Sequence, residues 1–149
     1  MAQSLLSQQL DALLFEETDL VANLANASAL LNDTLDDINW VGFYLTNGDE
    51  SQLTLGPFQG KVACMHIQSG SGVCGTALAK QEVLRVPNVH EFAGHIACDS
   101  ASNSEIVLPL TKDGQKIGVL DIDSPSLDRF STEDQVLLEE FVATLLQHL

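Results

Sequence analysis

An α+β fold is predicted for this 149-residue chain from three observations. Two amphipathic segments occupy roughly the first 37 residues. A series of β-forming runs follows from Ile38 to Asp123, folded back on itself at Asn47-Gly48 and Asp113-Gly114. A capped helical segment then closes the chain. Helices at both ends around consecutive, hairpin-linked strands specify an antiparallel sheet carrying helices, not alternating βαβ units.

Each element has its own signal. Leu6, Leu10, Leu13 and Leu14 form the apolar stripe of the first helix. Val21, Leu24, Leu31 and Leu35 fall near one face of the second, which Thr18 can cap, so helices are expected over about 3–36. Trp40-Val41-Gly42-Phe43-Tyr44-Leu45 is rich in strand formers, and Asn47-Gly48 is a hairpin turn. Gln52-Leu53-Thr54-Leu55 brings the chain back, and Val62 to Ile67 reads as a third strand. The glycine-rich Gly70-Ser71-Gly72-Val73-Cys74-Gly75 opens a short helix ending at Lys80. Val83-Leu84-Arg85-Val86 is a brief strand stopped by Pro87. The long irregular stretch from Asn88 to Ser104 is of a length often tied to function. Glu105 to Thr111 and Lys116 to Ile122 make a hairpin around Asp113-Gly114. Ser131 with Asp134 resembles a capping box, and the last helix, over 131–147, buries Leu138, Phe141, Val142 and Leu145. A single domain over residues 1–149, with its sheet and pocket over about 38–123, can bury a core without disulfides or metals.

Composition narrows the function classes. Six Lys and Arg against 21 Asp and Glu give a net charge of −15, a field that repels phosphate backbones and anionic lipid. Neither nucleic acid nor a membrane is expected as a partner. The longest apolar runs are too short to span a bilayer, and the N-terminal stretch lacks the basic region of a secretory signal. An odd number of cysteines without such a signal points to the cytoplasm, where a disulfide is transient and catalytic more often than structural.

Chemistry-bearing residues concentrate in the second half. The block Gly94-His95-Ile96-Ala97-Cys98-Asp99-Ser100 is followed by Glu105 and then by a strand ending Asp121-Ile122-Asp123. Cys64 and Cys74 lie upstream. One thiol among three carboxylates suits a reaction in which a thiolate attacks while an acid protonates the oxygen that leaves. Strand alternation puts Ile117, Val119, Asp121 and Asp123 on one face. Like charges so close raise at least one pKa if the site is enclosed. From the strand alone, however, a solvated tip is the expected arrangement.

Taken singly, each thiol reads as a small core hydrophobe. Cys64 fits best, inside a strand pattern. Cys74, following Gly-Ser-Gly at a helix start, is the low-pKa candidate, and Cys98, in the long loop, the accessible one. Zinc on Cys64, Cys74, His95 and Cys98 is the competing use, disfavoured because no C-x-x-C pair is present. Gly70-x-Gly72 lacks the Lys and Ser/Thr of a phosphate loop. His90 and His148 carry no signal beyond surface or packing.

Together these residues resemble a known family. Ile38-Asn39-Trp40-Val41-Gly42-Phe43-Tyr44-Leu45, Gly72-Val73-Cys74-Gly75, the run from Gly94 through Cys98 and Glu105 to Val107, and Gly118-Val119-Leu120-Asp121-Ile122-Asp123-Ser124 resemble the free methionine-(R)-sulfoxide reductases, small GAF-domain enzymes. The resemblance implies a GAF-like fold, with the terminal helices on one sheet face and a ligand pocket on the other. It also implies thiol-dependent reduction of free methionine-(R)-sulfoxide through a cysteine sulfenic acid and an intramolecular disulfide. By motif, Cys98 matches the nucleophile, Cys64 the resolving cysteine, and Cys74 the third cysteine, an alternative resolver. Glu105, Asp121 and Asp123 match the carboxylates around the sulfoxide and the amine, and Trp40 and Tyr44 the aromatic wall. The implied reductant is thioredoxin, or dithiothreitol in vitro, with no bound cofactor or metal, and the implied partners include a second copy in a homodimer. Two positions depart from the family pattern: Asn88 after Val-Pro, and the stretch Met65-His66-Ile67-Gln68-Ser69 after Cys64. A small-ligand GAF sensor without catalysis, and an inert interaction protein with buried thiols, are the alternatives.

Overall fold

The computed structural model describes residues 3–96, 98 and 101–149. Of the block singled out above, Ala97, Asp99 and Ser100 lie outside the described residues. The elements run α1 (Leu5–Leu13), α2 (Leu20–Thr34), β1 (Trp40–Leu45), β2 (Gln52–Gly60), β3 (His66–Gln68), α3 (Gly72–Lys80), β4 (Leu84–Val86), β5 (Ser104–Lys112), β6 (Gln115–Ser124) and α4 (Thr132–Leu146). A 3₁₀ turn, Val89–Glu91, lies after β4. The strands form one sheet in the order β3-β2-β1-β6-β5-β4, every neighbour antiparallel.

Two hairpins build the centre of this sheet. Asn47 and Gly48, and Asp113 and Gly114, all take positive φ, which suits the twist of tight β-hairpins. β1 lies between β2 and β6, and all six of its residues are buried. Its apolar run is continuous because both faces are covered. Val41, Phe43 and Leu45 point with Ile106, Leu108, Leu110, Leu120 and Ile122 into a core closed by α1, α2 and α4. Trp40 and Tyr44 point the other way, with Val107 and Val119, beneath Val73, Ala77 and Leu78 of α3. Gly118 is required where β6 meets β1, since a Cβ there would overlap the Tyr44 carbonyl oxygen.

The helix ends follow local chemistry. Asp19, not Thr18, caps α2, its carboxylate accepting from the Ala22 N–H at 2.8 Å. Thr18 stays outside because its N–H and that of Asp19 bond the Glu17 carboxylate. At α4 the capping box is complete, with Asp134 N–H donating to Ser131 Oγ at 3.1 Å and Ser131 N–H to Asp134 Oδ2 at 2.9 Å. Leu138, Phe141, Val142 and Leu145 are buried as expected.

The third strand differs from its expectation. β3 is only His66–Gln68, β2 runs on to Gly60, and Cys64 lies outside the ladder. Val62 is 89% exposed. Apolar sequence alone reads as strand there, but side chains from β1 satisfy the local carbonyls instead: Trp40 Nε1 donates to Lys61 O and Tyr44 Oη to Cys64 O. No helix among the described residues is long and apolar enough to cross a membrane.

Replacing Ser131 with Ala removes one capping bond and is expected to lower stability by about 1 kcal/mol. Urea denaturation will show this as a lower midpoint with an unchanged slope.

Candidate active site

On the face away from the terminal helices, β6 ends in Asp121 and Asp123. The register puts Glu105 of β5 and Trp40 of β1 on either side of Asp123, and Val107 and Gly42 on either side of Asp121. Three carboxyls are thereby gathered on adjacent strands, and none reaches solvent freely. Glu105, Asp121 and Asp123 are 7%, 5% and 9% exposed. The solvated tip expected from the strand alone is overturned, because α3 together with His95, Ile96, Cys98 and Ser102 closes over the acids.

No lysine or arginine is among the described residues lining the cavity. Burial is therefore the largest influence on these acids. It pushes Glu105 well above the usual carboxylate range, helped by the charges of Asp121 and Asp123 and by hydrogen bonds to them. Burial raises Asp121 as well, while bonds from Glu105, Asp123 and Cys74 pull it back. Glu105 thus keeps a proton and donates it toward Asp121. Asp121 Oδ1 is buried with no hydrogen-bond partner among the described residues. A buried acceptor of this kind calls for a donor from a ligand.

Cys74 is the third residue of α3 and is buried. The helix-start argument for a low pKa fails here. Burial, then the charges of Asp121, Glu105 and Asp123, push the thiol well up, and it donates to Asp121. A dipole worth a fraction of a kcal/mol to ~2 kcal/mol cannot offset burial beside three acids.

Cys64 and Cys98 are joined as a disulfide, with Cα atoms 5.4 Å apart, and Cys74 is free. Both bonded cysteines are half-buried, so Cys64 is not the core hydrophobe its strand pattern suggested. Cys98 lines the cavity with Trp40, Tyr44, Cys74, Glu105, Asp121 and Asp123, whereas Cys64 is outside the lining. The aromatic wall is a stack: Trp40 lies 5.8 Å from Tyr44 and 5.2 Å from Phe58, nearly parallel to both. Burial and the neighbouring acids push the Tyr44 hydroxyl up, so it remains the donor that holds Cys64 O at 2.9 Å.

Sequence reasoning missed the opposite wall. Ser71, Gly72 and Val73 line the cavity at the start of α3, where Ser71 makes no side-chain cap bond. Gly72 has φ of +62° and lies under Ile96, which a Cβ would approach to 3.1 Å. The glycine-flanked helix start was visible in the sequence, but not what it faces. His95, Ile96 and Ser102 also line the cavity. Burial, and then His90, push His95 below the usual histidine value, leaving it neutral.

The four-ligand zinc set is not assembled, since two of its cysteines are bonded to each other. Cys74, Glu105 and Asp121 could offer ligand atoms within 4.8 Å of one another, but in this structure their hydrogen bonds to each other use them. With the disulfide closed, the cavity holds about 40 Å³. That is room for roughly three waters. Asn88, one of the departures, caps the 3₁₀ turn by accepting from His90 N–H at 3.0 Å. His90 and His148 bond Asn103 and Asp11, each at 2.8 Å.

Comparison with known proteins places this geometry. The GAF domain model matches residues 9–149. The free methionine-R-sulfoxide reductase of Escherichia coli is 57% identical over 94% of this chain and 84% of its own length. The chain belongs to the free methionine-R-sulfoxide reductases. The structure of this family's enzyme from Neisseria meningitidis, in complex with its substrate, superposes with a TM-score of 0.91 at 45% identity, covering 96% of this chain and 85% of that one. The structure of fRMsr of Staphylococcus aureus in complex with substrate gives 0.90 at 51% identity, covering 97% and 93%. The reductase fold is α+β and GAF-like, with the cavity across the sheet from α1, α2 and α4.

The raised pKa of Glu105 has a consequence for stability. The unfolded chain releases this proton near pH 4.5, while the folded protein holds it to higher pH. Stability is therefore lost as pH rises above 4.5. Glu105→Gln removes the titration, so its stability relative to wild type should climb from pH 4.5 to neutrality in urea titrations. Parallel pH profiles would mean that Glu105 is ionised in the folded protein.

Proposed function

We propose that Cys98 is the nucleophile and Glu105 the proton donor in reducing free methionine-(R)-sulfoxide to methionine, the reaction of the family to which this chain belongs. The observation that carries this is the shared cavity: Cys98 and three buried carboxyls face one space, and the cysteine bonded to Cys98 stands outside it. The enzyme is an oxidoreductase.

Sulfoxide sulfur becomes electrophilic when its oxygen is protonated. Glu105 supplies that proton, a general-acid contribution of about 10²–10⁴ in rate. The Cys98 thiolate attacks sulfur, the oxygen ends on Cys98 as a sulfenic acid, and methionine departs reduced by two electrons. The Cys64 thiol condenses with the sulfenic acid, releasing water and forming the disulfide. Thioredoxin, or dithiothreitol in vitro, returns two electrons by exchange, and no bound cofactor takes part.

Asp121 Oδ1 and Asp123 suit the α-ammonium of the free amino acid, and the uncapped start of α3 suits its α-carboxylate. A peptide-bound sulfoxide has no ammonium and would leave this buried acceptor unmatched. Trp40 and Tyr44 form the apolar side. All of this lies in one domain over residues 1–149 in the cytoplasm. Exposed Leu5, Phe15 and Val21 on the N-terminal segment support a homodimer.

The test is methionine release from racemic free methionine sulfoxide with dithiothreitol, the residual epimers resolved by chromatography. Loss of the R epimer alone, with a peptide sulfoxide untouched, is expected. No methionine from either epimer would reject the assignment. Cys98→Ser should abolish release, and Cys64→Ser should give about one methionine per protein before stalling with thioredoxin. Sustained thioredoxin turnover in Cys64→Ser would transfer the resolving role to Cys74.

A further inference from the structure

Resting on the thiol cycle above, we propose that regeneration occurs by attack on Cys64, not Cys98. The attacker is a protein dithiol that docks on an exposed apolar collar formed by Val62, Met65 and Ile96.

Thiol–disulfide exchange is an in-line displacement. The entering, central and leaving sulfurs approach a straight line, so the attacking thiolate must come from the side of its target away from the target's partner. Which sulfur can be reached decides the reaction. Cys98 borders a cavity walled by Trp40, Tyr44 and the three acids, with about 40 Å³ of free space. A cysteine carried on another protein cannot enter a space of that size. Cys64 is not part of that wall. It lies in a surface segment outside the strand ladder, anchored from within by Tyr44 Oη on its own carbonyl and Trp40 Nε1 on that of Lys61.

The surroundings fit a protein. Val62 is 89% exposed, Met65 69% and Ile96 39%. Met65 adjoins Cys64, and Val62 and Ile96 are each two positions from a bonded cysteine, so their Cα atoms lie within about 7 Å of it. A molecule of net charge −15 thus places three exposed apolar side chains within two residues of its bonded cysteines. Contact there removes exposed apolar surface from water, which favours association with a transient partner. The Met65 stretch is one of the two departures from the family pattern, so the collar carries features of this chain.

The electron count closes. The partner's thiolate forms a sulfur–sulfur bond to Cys64 and breaks the Cys64–Cys98 bond, and Cys98 leaves as a thiolate into the pocket where it next acts. The partner's second thiol then attacks the partner's own bonded sulfur and expels Cys64 thiolate. Two electrons pass from the dithiol to this protein, and the partner leaves as a disulfide.

The first experiment traps the intermediate. Oxidised protein is mixed with a thioredoxin whose second active-site cysteine is serine, quenched with acid at early times, and mapped by mass spectrometry. The bond is expected on Cys64, and a bond on Cys98 would overturn the proposal. The second compares reductants in the Val62→Asp/Met65→Asp variant. KM for intact thioredoxin should rise about tenfold, the effect of losing one or two apolar anchors. Turnover with dithiothreitol should stay at the wild-type rate. An unchanged KM for thioredoxin would overturn the collar. Failure of the wild type with dithiothreitol would instead reject the reaction assigned to the site, so the two failures are distinguishable.

Discussion

The cavity depends on burying three carboxyls and a thiol together on one sheet face with no lysine or arginine among the described residues around them. Ionised, such a cluster is prohibitive in a low-dielectric site. It persists because protons are retained and shared: Glu105 holds one, Cys74 keeps its own, and both are directed at Asp121. The same retention sets an acid with a raised pKa beside a buried acceptor, Asp121 Oδ1.

The sheet separates this strain from what stabilises the fold. On one face, aliphatic residues of β1, β5 and β6 pack against α1, α2 and α4 in an apolar core. On the other, the same three strands end in acids and aromatic rings. Because alternate residues face opposite ways, each strand serves both layers without compromise. Trp40 and Tyr44 join the pocket to its redox edge: their rings line the cavity, and their polar ends grip the segment carrying Cys64. A single pair of side chains thereby lines the cavity and holds the segment carrying the cysteine bonded to Cys98.

Much of this was legible residue by residue. Hairpins at Asn47-Gly48 and Asp113-Gly114, the Ser131/Asp134 capping box and the common face of Asp121 and Asp123 are local matters of φ, hydrogen-bond reach and period. Where local signals misled, something distant in the chain had intervened. Val62 to Met65 has strand composition, yet the Cys64 carbonyl within it and the Lys61 carbonyl before it accept from Tyr44 and Trp40 of β1. Cys74 begins a helix, yet acids 31 to 49 residues further along lie against it and reverse its expected acidity.

The sequence by itself determined the α+β class, the order of elements, which side of each strand is apolar and which residue types could do thiol and acid chemistry. Those follow from dihedral preferences and side-chain alternation, which act over a few residues. Only the tertiary structure decided that the acids are buried instead of solvated, that Cys64 meets Cys98 across 34 residues while Cys74 stays apart, and that an uncapped helix faces the acids. Desolvation, disulfide pairing and pKa depend on what packs around a group in space, and that is set by contacts between segments far apart in the chain.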